Sequence, residues 1–290
     1  MAHPNQITIF ITAQLNRRFP TLVSGQSPYT YHVNGASRFV LSVITVAAYD
    51  IARLKVTLDS FNGACGNVEF IVVCPRDDTD TISFLDSFLV HSKLQVSVHH
   101  DEGVGVYEAM NHGAILSNGK YLIFWNAGDT CHNTIGLSQV ITHLNSTSPA
   151  WGITQAVFDW RSPQILTSRN LKNFVLQLGG YISHQTVIVS KLEFIALGGF
   201  DSNFKVAADA KMITQLWKKF KVDFYDLETV KVEFPNFSAK HNRLGRLENL
   251  KLCVLDLPWK YKAMSLGVAL YREFNYALVR TRKIFSGSED

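Results

Sequence analysis

Short apolar runs alternate with segments of helical periodicity through the first half of this chain. Runs such as 39–46 and 68–73 are nearly continuous in aliphatic and β-branched residues, which is typical of parallel strands buried on both faces. In the intervening segments apolar residues recur at three- and four-residue spacing, which predicts helices. The predicted strands are 39–46, 68–73, 94–98 and 120–125, and the predicted helices are 50–61, 79–90 and 106–116. This order predicts an α/β fold in which helices flank a mostly parallel sheet with right-handed crossovers.

The second half of the chain is less regular. Its pattern predicts strands at 151–159 and 222–232, a turn and a strand within 179–190, and helices at 191–197 and 207–220. Residues 1–38 are an irregular lead-in with a short strand at 7–12. After Pro235 the sequence is basic with helical spacing. The sequence therefore predicts a lead-in (1–38), an α/β core (39–235) and a basic helical extension (236–290).

Composition and charge restrict the class of protein. The chain has 290 residues, of which 47% are hydrophobic, enough for a full core. Its start is polar, and its apolar runs are far shorter than the roughly 20 residues of a spanning helix. Its four cysteines form no Cys-x-x-Cys pair. These features predict a cytoplasmic protein with reduced thiols.

Positive charge is concentrated in the extension. Residues 240–283 contain ten Lys and Arg against three acids, which leaves 18 basic and 21 acidic residues elsewhere. Aromatic residues interleave with these charges over 243–285, which is typical of a basic amphipathic helix on the anionic inner face of a membrane. Packing of the same apolar residues against the core is the alternative. Nucleic-acid binding is not predicted, because no recognition motif accompanies the charge.

Polar or glycine-containing stretches follow three predicted strands. Ligands of open α/β sheets bind outside the carboxyl ends of the strands, so these stretches are expected to meet. Stretch 45–50 can hold a nucleoside through a hydroxyl and backbone amides. The alternative is that it is an ordinary turn in which Asp50 caps the next helix. Stretch 101–113 places glycines before a helix, where phosphate can bind, although Glu108 replaces the third glycine of a dinucleotide motif. Stretch 125–129 ends in Asp129, which either holds a divalent cation or caps the turn.

Several motifs occur in register between residues 39 and 220. They are Val106-Tyr107-Glu108-Ala109-Met110-Asn111-His112-Gly113, Asn118-Gly119-Lys120-Tyr121, Phe124-Trp125-Asn126-Ala127-Gly128-Asp129, His184-Gln185, Gly198-Gly199-Phe200-Asp201 and Ala207-Ala208-Asp209. Together they resemble glycosyltransferase family 2. The pattern is most similar to the branch found in bacterial capsule, colanic acid and O-antigen synthesis.

The resemblance implies a GT-A fold and transfer of a sugar from a nucleotide-diphosphate donor to a glycan or lipid-linked acceptor. It divides the core into a nucleotide-binding half (39–130) and an acceptor half (131–235). It makes Asp129 the ligand of Mn²⁺ or Mg²⁺ and Asp209 the catalytic base, with His184 and Gln185 lining the donor or acceptor pocket. The residues expected at the donor are Thr45, Ala47, Tyr49, Asp101, Gly105, Tyr107, Met110, Asn111, Asn126 and Ala127.

Two positions depart from the family pattern. The stretch 126–129 keeps only one carboxylate of the usual Asp-x-Asp, and Gly103 stands where the family has an Asp that Asp101 replaces across a two-residue shift. One base opposite the leaving group predicts inversion at the anomeric carbon. The alternative is a catalytically degenerate GT-A domain that binds nucleotide or acts as a scaffold. A nucleotidyltransferase is not favoured, because the first strand is not followed by a Gly-rich, Arg-containing loop.

Overall fold

The computed structural model describes residues 38–61, 67–101, 105–158, 166–176, 182–233 and 242–286. The predicted strand at 7–12, the rest of the lead-in up to residue 37 and Gly103 lie outside the described residues.

A single mixed sheet runs through the described part of the chain. Its strands are β1 (Leu41–Val46), β2 (Val68–Pro75), β3 (Val96–Asp101), β4 (Tyr121–Asn126), β5 (Thr130–Cys131), β6 (Trp151–Phe158), β7 (Val187–Ser190) and β8 (Asp223–Val232). Their order across the sheet is β3-β2-β1-β4-β7-β6-β8-β5. Strands β3, β2, β1 and β4 are parallel, as predicted. Strand β7 is antiparallel to β4 and β6, β8 is parallel to β6, and β5 is antiparallel to β8.

Helices cover both faces of the sheet. They are α1 (Ile51–Asp59), α2 (Thr79–His91), α3 (Val106–Leu116), α4 (Thr134–Thr147), α5 (Ser168–Val175), α6 (Lys191–Leu197), α7 (Ala208–Lys219), α8 (Asn242–Leu255) and α9 (Trp259–Ser286). A short 3₁₀ turn, His184–Thr186, precedes β7. Carboxylate caps begin α1 and α2, where Asp50 and Asp78 accept hydrogen bonds from the amides of Arg53 and Thr81.

Two hydrophobic clusters pack against the sheet, one on each side. Along β1, Val43 belongs to one cluster and the next residue, Ile44, to the other, since successive strand side chains point to opposite faces. The cluster with Val43 includes residues of α1, α2 and α4, and the cluster with Ile44 includes residues of α3, α6, α7 and α8. This arrangement explains why β1 and β2 are apolar on both faces, and it leaves the carboxyl ends of the parallel strands open at one edge.

The C-terminal helices differ in how far they pack. Leu252 and Cys253 of α8 are buried in the same cluster as α7. By contrast, α9 carries large exposed apolar side chains, of which Trp259 is 86% exposed. Among the described residues, no helix has both the length and the apolar character that crossing a bilayer demands.

Candidate functional site

A cleft of about 410 Å³ lies at the carboxyl ends of β1, β2 and β4. This volume falls within the range of about 300–1,000 Å³ that is typical of small-molecule sites. The cleft is lined by the residues that follow these strands and by the starts of α1 and α3. The predicted site residues along its wall are Ala47, Tyr49, Asp101, Gly105, Asn126, Ala127 and Asp129.

Four predicted donor residues, Thr45, Tyr107, Met110 and Asn111, do not line this cleft. Thr45 and Met110 are 1% exposed, and in the described structure the Thr45 hydroxyl has no hydrogen-bond partner. The Asn111 amide donates to the Phe200 carbonyl and accepts from the Phe200 amide, both at 2.8 Å. Asn111 therefore connects α3 to the turn after α6 through two hydrogen bonds. A contact between the donor and any of these four residues stays a prediction.

Tyr49 lies at the rim of the cleft in an unusual backbone conformation. Its φ angle is +56°, which is rare for a residue with a side chain. Its amide donates to Asp78 Oδ2 at 2.6 Å, and its hydroxyl donates to Asp77 Oδ1 at 2.7 Å. Although burial opposes ionisation of Asp78, hydrogen bonds from Tyr49 and Thr81 hold its pKa below the ordinary value. The cap of α2 thus keeps the Tyr49 ring, which is 65% exposed, beside the cleft.

Asp129 is a buried carboxylate with three hydrogen-bond donors. It is 2% exposed, and its oxygens accept from the Asn126 amide (2.8 Å), the Gln185 side chain (2.9 Å) and the Glu233 amide (3.1 Å). Burial raises its pKa, and these hydrogen bonds only partly oppose that shift. Three of the roughly four lone-pair positions of a carboxylate are therefore already in use.

The described residues do not fit a cation held by the protein alone. No group of three or more His, Cys, Asp or Glu side chains in the described ranges could hold a metal ion. The thinned motif at 126–129 leaves Asp129 without a second carboxylate from the same turn. A divalent cation at this edge would need most of its ligands from outside these side chains.

An ion pair between Arg53 and Glu233 also lines the cleft, and the sequence did not predict it. Arg53 lies in the first turn of α1, and its guanidinium contacts the Glu233 carboxylate just after β8. Both side chains cover Gly128, which has a φ of +104° and whose amide donates to Thr57 Oγ1 at 2.8 Å. Because these residues are 180 positions apart, no local pattern could have revealed the pair.

Asp209 lies in the first turn of α7 and contacts two polar side chains. His184 Nδ1 is 3.2 Å from Asp209 Oδ2, and the Tyr107 hydroxyl is 3.1 Å from Oδ1. The Tyr107 hydroxyl is also within hydrogen-bond distance of the Val206 carbonyl, at 2.7 Å. Burial and the nearby Asp209 charge raise the pKa of Tyr107 well above its ordinary value, so it stays a neutral donor. Asp209 and His184 face a small apolar pocket beside Phe124, distinct from the cleft.

The 3₁₀ turn connects the two carboxylates. Gln185 donates to Asp129, and its neighbour His184 contacts Asp209. The turn is itself anchored by Trp125 of β4, whose indole N–H donates to the Gln185 carbonyl at 3.0 Å. Asp129 and Asp209 are therefore connected through two consecutive residues, but their side chains line different pockets, so the single shared pocket expected from the sequence stays a prediction.

Helix α8 reaches the turn that precedes Asp209. The Glu248 carboxylate, which is 7% exposed, accepts from the amides of Lys205, Val206 and Ala207 at 2.6, 2.9 and 2.8 Å. These amides belong to the three residues just before α7, so the carboxylate lies near the helix N-terminus, where a negative charge is stabilising. The extension thus contributes a side chain that orders the approach to Asp209.

Comparison with known proteins agrees with this architecture. No protein-family model matches the chain. Curated relatives named "PGL/p-HBAD biosynthesis glycosyltransferase", from Mycobacterium bovis BCG and Mycobacterium tuberculosis H37Ra, are 25% identical over 181 residues. The match covers 59% of this chain, and it spans 66%, just under two thirds, of the length of those relatives.

Solved structures share the fold at low identity. S. aureus TarS 1–349 in complex with UDP has a TM-score of 0.61 and 17% identity, covering 87% of this chain and 76% of that one. The mannosyltransferase PcManGT of Pyrobaculum calidifontis, in complex with GDP-Man and Mn²⁺, has a TM-score of 0.55 and 12% identity, covering 98% and 93%. The predicted α/β class with a GT-A fold is thereby confirmed. Membership of family 2 and of the capsule and O-antigen branch stays a prediction.

Proposed function

We propose that this chain is an inverting glycosyltransferase that moves a sugar from a nucleotide-diphosphate donor to a glycan or lipid-linked acceptor in cell-surface polysaccharide synthesis. The observation that carries the proposal is the cleft at the strand ends, whose Asp129 is linked through Gln185 and His184 to Asp209. The glycosyltransferase names of the sequence relatives support the same activity. We propose a cytoplasmic location, peripheral at the inner face of the membrane.

The cleft is proposed to receive the nucleotide-sugar donor. Solved structures with this fold contain UDP, UDP-GlcNAc, or GDP-Man with Mn²⁺. In this chain Tyr49 supplies an exposed ring at the rim, where a nucleoside base can stack. Asp101 and Gly105 also line the cleft, beside the start of α3.

Asp209 is proposed to be the general base. An acceptor hydroxyl attacks the anomeric carbon while its proton passes to the Asp209 carboxylate, and the nucleoside diphosphate leaves with the electron pair of the glycosidic bond. His184 and Tyr107 hold this carboxylate from two sides, so its orientation is fixed before the acceptor arrives. A single displacement from the side opposite the leaving group inverts the anomeric configuration.

Mn²⁺ or Mg²⁺ remains a prediction that accompanies the donor. Asp129 lines the cleft in which the diphosphate is proposed to lie, but three donors already occupy its oxygens. No step of the proposed mechanism is therefore assigned to an ion.

Helix α9 is proposed to contact an anionic lipid surface, which suits a lipid-linked acceptor. Over residues 259–286 the sequence has six Lys and Arg and one acid. Trp259, Leu270, Tyr271 and Phe274 are 53–86% exposed. Apolar residues that insert among head groups beside basic residues are typical of interfacial helices.

A degenerate GT-A domain that binds nucleotide without transfer is the second candidate. The reduced motif at 126–129 and the absence of a three-ligand metal group in the described residues favour it. It predicts nucleotide binding without turnover, whatever donor is supplied.

The test combines binding and turnover. Thermal shift with UDP, GDP, UDP-GlcNAc and GDP-Man, each with and without Mn²⁺, identifies the donor class. Asp209→Asn should then abolish transfer while nucleotide affinity stays within about twofold, because the carboxylate acts on the acceptor. Asp226→Asn, an exposed strand position, is the matched control and should keep full activity. Turnover by Asp209→Asn at the wild-type rate would exclude Asp209 as the base, and binding without any turnover of the wild type would favour the degenerate domain.

A further inference from the structure

The proposed donor cleft carries a large excess of negative charge. Its wall includes the carboxylates of Asp50, Asp101, Asp129 and Glu233, and within the described ranges its one basic side chain is Arg53. A nucleoside diphosphate adds further negative charge, so its phosphates require a cation close by. Since the described residues offer no three-ligand metal group, Arg53 is the positive group that the chain itself presents there.

The position of Arg53 suits a diphosphate that lies beside the 126–129 turn. Its amide donates to Asp50 Oδ1 at 3.1 Å, which fixes the first turn of α1 at the cleft. A Cβ atom placed on Gly128 would lie 2.9 Å from Arg53 Nε. The Glu233 carboxylate lies closer still, so the ion pair as a whole covers the glycine that precedes Asp129.

In this structure the guanidinium of Arg53 is paired with Glu233, and only the side chain of Glu233 makes this contact. The Glu233 amide is held separately by Asp129 at 3.1 Å. The two side chains of the ion pair are 35% and 38% exposed. Ion pairs this accessible to water contribute little to stability, so the Glu233 carboxylate can rotate away at small cost while its backbone stays in place.

We propose that Arg53 binds the diphosphate of the donor and that Glu233 is a displaceable anion that holds Arg53 in place until the donor arrives. This inference rests on the proposed function, because it requires a nucleoside diphosphate in the cleft. A planar guanidinium can donate two parallel hydrogen bonds to phosphate, which a half-exposed carboxylate contact does not outweigh. Arg53 thus supplies part of the positive charge that a complete Asp-x-Asp motif would bring to the diphosphate through a bound cation.

Isothermal titration of UDP and GDP, in EDTA and again with Mn²⁺, tests the proposal on the full chain. Arg53→Gln should weaken binding of the nucleotide that the wild type prefers by about 10- to 100-fold in EDTA. Arg53→Lys keeps the charge but lacks the planar guanidinium, so its affinity for the nucleotide should lie between those of the wild type and Arg53→Gln. Glu233→Gln removes the competing anion and should tighten binding by about two- to fivefold.

The control is Lys55→Gln on the same helix. Lys55 pairs with Asp59 on the exposed side of α1, outside the cleft, so binding should not change. Wild-type affinity in Arg53→Gln overturns the inference but leaves the proposed function intact. Weaker binding in Glu233→Gln overturns the role of Glu233 as a competing anion. A wild-type protein that binds neither nucleotide, with or without Mn²⁺, instead refutes the proposed function.

Discussion

Replacing Glu248 tests whether α8 completes the turn that carries Asp209. The buried carboxylate accepts from the amides of Lys205, Val206 and Ala207 at 2.6–2.9 Å. Each hydrogen bond to a charged group contributes about 1.5–3 kcal/mol, but contributions within one network do not add fully. Glu248→Ala leaves three donors without this acceptor and should lower the free energy of unfolding by about 3–5 kcal/mol. Glu248→Gln keeps one carbonyl oxygen and should lower it by about 2 kcal/mol.

Urea denaturation measures this loss as a shift of the unfolding midpoint. With a slope of about 3 kcal/mol per molar urea, Glu248→Ala should unfold at about 1–1.7 M lower urea than the wild type. Glu273→Gln is the control, because Glu273 has a part-exposed contact with Arg246 in the same helical hairpin and should cost less than about 1 kcal/mol. If Glu248→Ala shifts the midpoint no further than this control, the amides at the start of α7 do not depend on α8.

Two further predictions concern Asp129 and α9. Burial raises the pKa of Asp129, so the stability it contributes is present below its unfolded pKa and is lost as pH rises through the folded-state pKa. The unfolding free energy of the wild type minus that of Asp129→Asn should therefore fall as pH rises above about 4, and a difference independent of pH would contradict the shift. In flotation with phosphatidylserine vesicles, the double variant Trp259→Ser and Phe274→Ser should lose binding, whereas Val90→Ser, an exposed position on α2, should not. Equal flotation of all three proteins would refute membrane contact through α9.

The sheet could be predicted where its signal is local. Strands β1, β2 and β4 lie in the middle of the sheet and are apolar on both faces, so their apolar runs mark them within two residues. Strand β3 was placed at 94–98 but is Val96–Asp101, because this edge strand is only half-buried and continues through His99 and His100. An edge strand tolerates polar residues that end an apolar run early.

Helix α4 was not predicted, although Leu137, Val140, Ile141 and Leu144 recur at helical spacing and are buried. The serine, threonine and asparagine residues between them have low helix propensity and concealed the period. Strand β5 has two residues and exists only through its pairing with β8. Such an element has no sequence signal of its own, since tertiary contact alone defines it.

The candidate site was predictable in its motifs but not in its connections. Local motifs made Asp129, His184, Gln185 and Asp209 candidates, because each lies in a short stretch with a family resemblance, and their roles stay predictions. The hydrogen bonds that join Gln185 to Asp129 and His184 to Asp209 link separate elements. A single sequence does not contain that pairing, since it depends on how the second half of the sheet packs against the first.

The extension was interpreted from its charge and aromatic residues as a basic amphipathic helix at a membrane, with packing against the core as the alternative. Its two helices are tied to the body to different degrees. A truncation at residue 240 would remove Glu248 and the buried Leu252 together with α9. Loss of membrane binding could then not be distinguished from disruption of the turn that precedes Asp209. Removing α9 alone would still uncover Trp217, whose ring is 6.4 Å from that of Tyr261. Substitutions on the exposed face of α9 avoid both effects, because side chains such as Phe274 are already in contact with water. The proposed membrane contact can therefore be tested apart from the proposed catalysis at single side chains of α9, whereas a cut before α8 or before α9 also exposes apolar side chains of the body.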